Sequence, residues 1–287
     1  MTVQTVSRSF GAAWIAGIMA LAPAAAQTAA PATTAPAAPV TKEFEPSVGQ
    51  QGKDVIWVPT ADAHVSRMLD MAKVTPADYV IDLGSGDGRT VIAAAKRGAK
   101  AHGIEYEQAM VDLSIRNAAQ AGVSDMATFV QGDLFASDFS NATVLTMFLL
   151  PDINLRLRPT ILDMKPGTRV VSNTFTMGDW EADQTAEATT DCTSYCKAYF
   201  WVVPAKVDGA WRSESGDIAL QQTYKMLSGT VTSGNVVSPI QNGKLTGDQI
   251  TFTAGDQTFS GRVNGQFIEG TRESGASKTP WRATRAS

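Results

Sequence analysis

The chain has 287 residues, 44% of them hydrophobic, with a formal charge of -4 and a pI near 5.3. That is enough apolar material for one large domain and a small one, and it excludes the overall basic footprint that nucleic acid selects. Two histidines, His64 and His102, lie far apart in sequence, and the two cysteines, Cys192 and Cys196, stand alone. No metal site is expected from such a set.

The chain opens with Arg8 as the single charge, an apolar run from about Phe10 to Leu21, and Ala24-Ala25-Ala26 before Gln27. This order reads as an export signal over residues 1–26, with a run too short for a comfortable membrane span. The mature chain is then periplasmic or secreted, with no stable span after cleavage. A cytoplasmic or membrane-anchored protein is the alternative. Residues 27–50, led by an Ala/Pro/Thr tract, form a linker too poor in apolar groups to offset chain entropy.

Trp57-Val58-Pro59-Thr60 leads into a helix over about 61–72, with Val65, Met68, Leu69 and Ala72 on one face. Next comes Tyr79-Val80-Ile81-Asp82-Leu83-Gly84-Ser85-Gly86-Asp87-Gly88-Arg89, an apolar strand running through a glycine turn into a helix. Glycines at alternate positions let backbone approach a ligand closely. A dinucleotide loop would carry its third glycine one place later, where Arg89 stands. Asp82 and Asp87 would repel a pyrophosphate and attract a ligand carrying an ammonium and a sulfonium. S-adenosylmethionine has both.

A second strand follows at 101–105 and ends in Glu105, 23 residues beyond Asp82, where an acid can accept from both ribose hydroxyls. The plainer alternative is a solvated strand end. A helix over about 107–120 is expected to bury Met110, Leu113, Ser114, Asn117, Ala118 and Ala121. The third strand, 127–130, leads to Gly132-Asp133-Leu134-Phe135, where Asp133 has the place of a helix N-cap or turn residue. Residues 142–148 read as a central strand buried on both faces. Leu149-Leu150-Pro151-Asp152-Ile153-Asn154 follows at its carboxyl end, where open α/β sheets bind substrates. A fifth strand over 169–175 and a sixth over 198–204 complete a doubly wound, mostly parallel sheet for the domain at 51–205.

Between those last strands lie the two cysteines. In an exported protein they would close a short loop as a disulfide, although a spacing of four on a regular helix would be awkward geometry. From Gly209 the texture changes to short alternating strands with turn pairs such as Asn242-Gly243 and Asn264-Gly265. This indicates a small antiparallel β module at 206–287, a meander or barrel, dispensable for cofactor binding if every binding motif lies before it.

Asp82-Leu83-Gly84-Ser85-Gly86-Asp87-Gly88 resembles motif I of class I S-adenosylmethionine-dependent methyltransferases. With Trp57 to Thr60, Gly132 to Phe135, Leu149 to Asn154 and Pro166 to Ser172, the set resembles the ATP synthase c-subunit lysine methyltransferase-like proteins and their bacterial relatives. The resemblance implies a Rossmann-like fold and S-adenosyl-L-methionine as cofactor. It assigns cofactor contacts to Thr60, Asp82, Gly84, Ser85, Gly86, Asp87, Gly88, Glu105, Asp133 and Leu134. It places Pro151, Asp152 and Asn154 at the reacting end, and makes the acceptor a lysine side chain of a protein. Asp152 is equally well read as a helix N-cap. Since the cofactor is made in the cytoplasm, an exported enzyme would need a supply. A small-molecule methyltransferase and an exported binding protein without turnover therefore stand as alternatives.

Overall fold

The structure, a computed structural model, describes residues 43–286. The expected export signal, its cleavage site and the Ala/Pro/Thr tract lie outside the described residues. From Glu43 onward the chain forms one compact unit.

Its larger part is a seven-stranded sheet in the order β3-β2-β1-β4-β5-β7-β6. The strands are β1 (Tyr79–Leu83), β2 (Lys100–Glu105), β3 (Ala127–Gln131), β4 (Val144–Met147), β5 (Arg169–Asn173), β6 (Gln184–Glu187) and β7 (Lys197–Val202). The first five are parallel, and β7 runs antiparallel to both β5 and β6. β6 is a strand that the sequence pattern does not announce. Its Gln-Thr-Ala-Glu is polar and mostly exposed at the sheet edge, so it carries no burial signal.

The pleat divides the core in two. Val80, Val144 and Val171 face one side, beneath α1 (Asp62–Met71), α2 (Arg89–Lys96) and α3 (Gln108–Gln120). Their chain neighbours Ile81, Leu145 and Val170 face the other, beneath α4 (Pro151–Leu162). Pro151 opens α4, where its missing N–H would have had no intrahelical partner. In α3 the buried stripe is Met110, Val111, Ser114 and Ala118, so Val111 takes the place expected for Leu113.

Residues 43–50 are not part of a free linker. Glu43 pairs with Arg116 of α3, and Gly49 and Trp57 bond backbone to backbone in a small hairpin that continues to Thr60. The ordered body therefore starts before residue 51.

The C-terminal module is a closed eight-stranded up-and-down barrel from β8 (Gly209–Ser213) to β15 (Ser277–Arg285), sealed where Arg285 pairs with Trp211. Closure leaves no edge strand. Stacked Phe252 and Phe259, with Trp281 edge-on to both, fill its interior. The barrel is not an appended bead. At the turn between β9 (Gly216–Thr223) and β10 (Met226–Ser233), Tyr224 stacks on Trp180 and donates to Asp179, while Lys225 enters the segment before β6. Its Nζ donates to the carbonyls of Glu181 and Ala182 and to Asp183 at 2.8 Å.

Candidate active site

β1 and β4 are neighbours in the sheet although two strands separate them in sequence, and the winding direction reverses between them. Such a reversal opens a crevice beyond the carboxyl ends of the strands. A cavity of about 470 Å³ sits there, a size suited to a nucleoside-bearing ligand. Its floor is the glycine turn after β1. One wall comes from the end of β2 and the start of the β3–β4 connection. The other comes from residues 147–150 after β4, and residues 50–60 roof it.

The turn needs its glycines. Gly84, Gly86 and Gly88 have φ of +75°, +55° and +81°, which L side chains rarely adopt. A Cβ on Gly86 would come within 2.9 Å of the Trp57 indole nitrogen, and one on Gly88 within 2.8 Å of the Phe129 ring. Gly86 thus faces the cavity roof, whereas Gly88 packs against β3 and α3 and is not among the lining residues.

Glu105 is oriented by three backbone donors. Gly86 N–H reaches Oε2 at 2.9 Å, and the N–H groups of Tyr106 and Glu107 reach Oε1 at 2.8 and 3.1 Å. Oε1 is thereby filled, and Oε2 keeps one lone pair for the cavity that Glu105 lines.

Asp82 is buried and accepts from Thr146 Oγ1 at 2.6 Å. Burial pushes its carboxyl up to about 7. The Thr146 hydrogen bond opposes this, and the nearby charges of Glu105 and Asp87 add to it.

Asp87 departs from the expectation that two free carboxylates attract a cation. Arg89 grips it with Nε to Oδ1 at 3.0 Å and Nη2 to Oδ2 at 2.6 Å, and donates Nη1 to the Thr60 carbonyl at 2.8 Å. The Arg89 charge offsets part of that of Asp87, and the pair ties the turn to the roof. Thr60 Oγ1 also accepts from Asn173. Ser85 is buried, with no hydrogen-bond partner for its Oγ among the described residues.

Asp133 lines the cavity beside Leu134, but both its oxygens are engaged. Oδ1 accepts from Phe135 N–H in a local turn, and Oδ2 accepts from Lys53 Nζ at 2.6 Å. The Lys53 hydrogen bond, ahead of the turn's, holds the carboxyl below its usual range. Lys53 also lies over the Tyr106 ring, so the roof is latched at this end.

The three residues expected at the reacting end do not line the cavity. Pro151 and Asp152 are exposed in the first turn of α4. Asn154 is wholly buried beneath the segment after β5, its Nδ2 donating to the carbonyls of Phe175 and Thr176 at 3.4 and 3.2 Å. Helix periodicity explains this, since three residues past Pro151 the chain has turned from the crevice to the core. The wall is instead made by Phe148, Leu149, Leu150 and Ile153, joined by Phe175 and Tyr195. Lys53, Phe175 and Tyr195 carry no motif, and only the tertiary fold brings them here.

A 3-2-1-4-5-7-6 sheet with a nucleoside-sized cavity over a glycine turn is the arrangement of class I S-adenosylmethionine-dependent methyltransferases. Comparison with known proteins narrows the class. Residues 82–184 match the family described as the ANTKMT methyltransferase domain. A protein-lysine N-methyltransferase of Saccharolobus islandicus (strain REY15A) is 45% identical over 129 residues, 44% of this chain and 80% of that one. The ATP synthase c-subunit lysine N-methyltransferase of Mus musculus is 34% identical over 130 residues, 45% of this chain and 52% of that protein. A solved RNA methyltransferase from Salinibacter ruber, in complex with S-adenosyl-L-homocysteine, is 45% identical. It matches 52% of this chain and 96% of its own with a TM-score of 0.49. The chain belongs to the S-adenosylmethionine-dependent protein-lysine N-methyltransferases. It spans most of the Saccharolobus islandicus relative and about half of the mouse one.

Proposed function

We propose that the cavity holds S-adenosylmethionine along the ends of β1 and β2 and admits a protein lysine past Phe148, Leu149 and Leu150. The residues present fit that donor. Glu105 keeps a lone pair on Oε2 for a ribose hydroxyl, Gly84 and Gly86 leave room for the amino-acid portion, and Asp82 supplies negative charge for its cationic groups. Ser85 and Thr60 border the same end, Leu134 gives the adenine an apolar face, and Asp133 shares its Lys53-bonded oxygen with the adenine amino group. Gly88 and the paired Asp87 act indirectly, by shaping the turn.

When bound, the donor supplies an electrophilic methyl on a sulfonium, so the protein need only deliver a neutral amine in line and exclude water. The wall of Phe148, Leu149, Leu150, Ile153 and Phe175 suits that task. An apolar setting disfavours the lysine ammonium and lowers its pKa. These side chains would hold that amine in line with the donor's methyl group and keep water from it, so that methyl transfer could release S-adenosylhomocysteine. Asn154 serves by holding Phe175, and Pro151 and Asp152 by starting α4 beside the wall.

The observation that carries this reading is the apolar, aromatic wall facing Glu105 and the glycine turn across one cavity. We also propose that the chain works outside the cytoplasm. The order of charge, apolar run and alanines at the N-terminus supports it, and so does the Cys192–Cys196 disulfide, a bond of oxidising compartments. No helix among the described residues is long and apolar enough to cross a membrane. Incubation with methyl-labelled S-adenosylmethionine and a native envelope extract tests the function. Label is expected on protein lysines, with a rate rising with pH until the bound lysine is deprotonated. The enzyme recovered from that fraction should begin at Gln27. Label confined to small molecules would overturn the acceptor assignment.

A further inference from the structure

We propose that Tyr195, presented by the disulfide-closed turn between β6 and β7, is a recognition residue for the acceptor lysine. The inference rests on the lysine reading above and adds a residue outside the matched family range.

Three rings meet at the mouth of the cavity and all three line it. Phe148 lies 6.1 Å from Phe175 and 5.3 Å from Tyr195, centroid to centroid. Phe148 follows β4 and Phe175 follows β5, so both belong to the strand ends that frame the crevice. Tyr195 comes from outside it and is 44% exposed. A core tyrosine would be covered, whereas this ring offers a face to whatever enters. An aromatic face attracts an ammonium, and attracts a methylated ammonium while shedding less hydration. A lysine approaching as a cation would thus meet Tyr195 at the entrance before it reaches the drier wall where it must be neutral.

The turn explains how an exposed residue is held there. Cys192 and Cys196 are bonded, and Ala188 N–H donates to the Cys196 carbonyl at 2.9 Å, closing the loop at its base. Tyr195 directly precedes Cys196 and has φ of +56°, a conformation that a tyrosine keeps only where its surroundings impose it. Beside the crosslink, the described contacts that hold this turn are the backbone bond at its base and the packing of the ring on Phe148. The disulfide thus acts as the positioning element for the ring, and the acceptor site, unlike the cofactor site, depends on it.

The test uses the full chain saturated with S-adenosylhomocysteine and a blocked Nε-trimethyllysine as probe, titrated by NMR, beside its neutral tert-butyl isostere. Wild type and Tyr195→Phe should bind the cation in preference to the isostere. Tyr195→Ala and the double variant Cys192→Ser/Cys196→Ser should each weaken cation binding about fivefold. The affinity for S-adenosylhomocysteine, measured by calorimetry, should be unchanged in all of them. Equal binding of cation and isostere, no binding of the cation by wild type, or undiminished binding by Tyr195→Ala would overturn the proposal while leaving the methyltransferase reading intact. Failure of S-adenosylhomocysteine itself to bind would remove that reading and this one with it.

Discussion

At the scale of single residues, Asp82 makes the cavity respond to pH. It stands at the end of β1 with 6% exposure, and burial lifts its carboxyl to about 7. A raised acid stabilises the fold most below the ordinary carboxylate range. That contribution is lost as pH rises toward 7, because the unfolded chain releases this proton in that range while the folded state still holds it. The ligand reverses the preference, since its cationic groups favour ionised Asp82. Cofactor binding should therefore release a proton and tighten by about tenfold between pH 6 and pH 8. Calorimetry in buffers of different ionisation enthalpy measures both effects. In Asp82→Asn the proton release should vanish and affinity at pH 8 should fall, while the melting temperature without ligand should lose its decline with pH. An unchanged pH profile in that variant would show that another group carries the effect. Asp87 makes the contrasting case. The two carboxylates look alike in sequence, and only the structure shows that Arg89 has claimed one of them.

At the scale of elements, the glycine turn and the segment after β5 show why one part of the site is legible in the chain and another is not. Gly84, Gly86 and Glu105 act through backbone conformation and a fixed place at strand ends, and such constraints leave a local spacing. The reacting end depends on which way a helix faces after its first turn and on which distant loops arrive, so its residues carry no spacing. Asn154 is the instructive case, buried and outside the cavity lining. A polar residue at a crevice reads as catalytic, but its amide spans to Phe175 and Thr176 beneath the wall. Asn154→Ala should lower stability by about 1 to 3 kcal/mol, because a buried amide that ties two partly covered carbonyls to α4 is lost. It should raise the acceptor KM through the freed Phe175 ring and leave cofactor affinity near wild type. A loss of kcat with no change in melting temperature would instead restore a direct role for the amide.

At the scale of the whole molecule, the question is whether the barrel is a passenger. The sequence texture marks its strands and turns well, since alternating burial and glycine turns are local signals, but it says nothing about docking. The docking rests on Lys225, whose side chain is 11% exposed and whose partner Asp183 is 12% exposed. Asp183 in turn accepts from the Val202 N–H of β7 at 2.9 Å, so the barrel contact reaches the antiparallel edge of the methyltransferase sheet. Tyr224 covers Trp180, which lies in the same core as Leu145 and Met147 of β4. A chain ending at Ala205 is thus expected to lose the cover of this core and to fold poorly, against the independence that the order of motifs suggests. Because such a fragment can fail for many reasons, a point change separates the causes. Lys225→Met keeps the bulk and removes the charge, leaving Asp183 and two carbonyls without their donor in a largely covered contact, which should cost about 1 to 3 kcal/mol. Asp183→Leu in the same background removes the stranded acid and should recover part of that loss. Thermal melts of the two variants beside wild type read this directly. Cofactor affinity at low temperature should stay unchanged, since neither residue lines the cavity. Equal melting temperatures in all three proteins would show that the barrel adds nothing to the stability of the catalytic body.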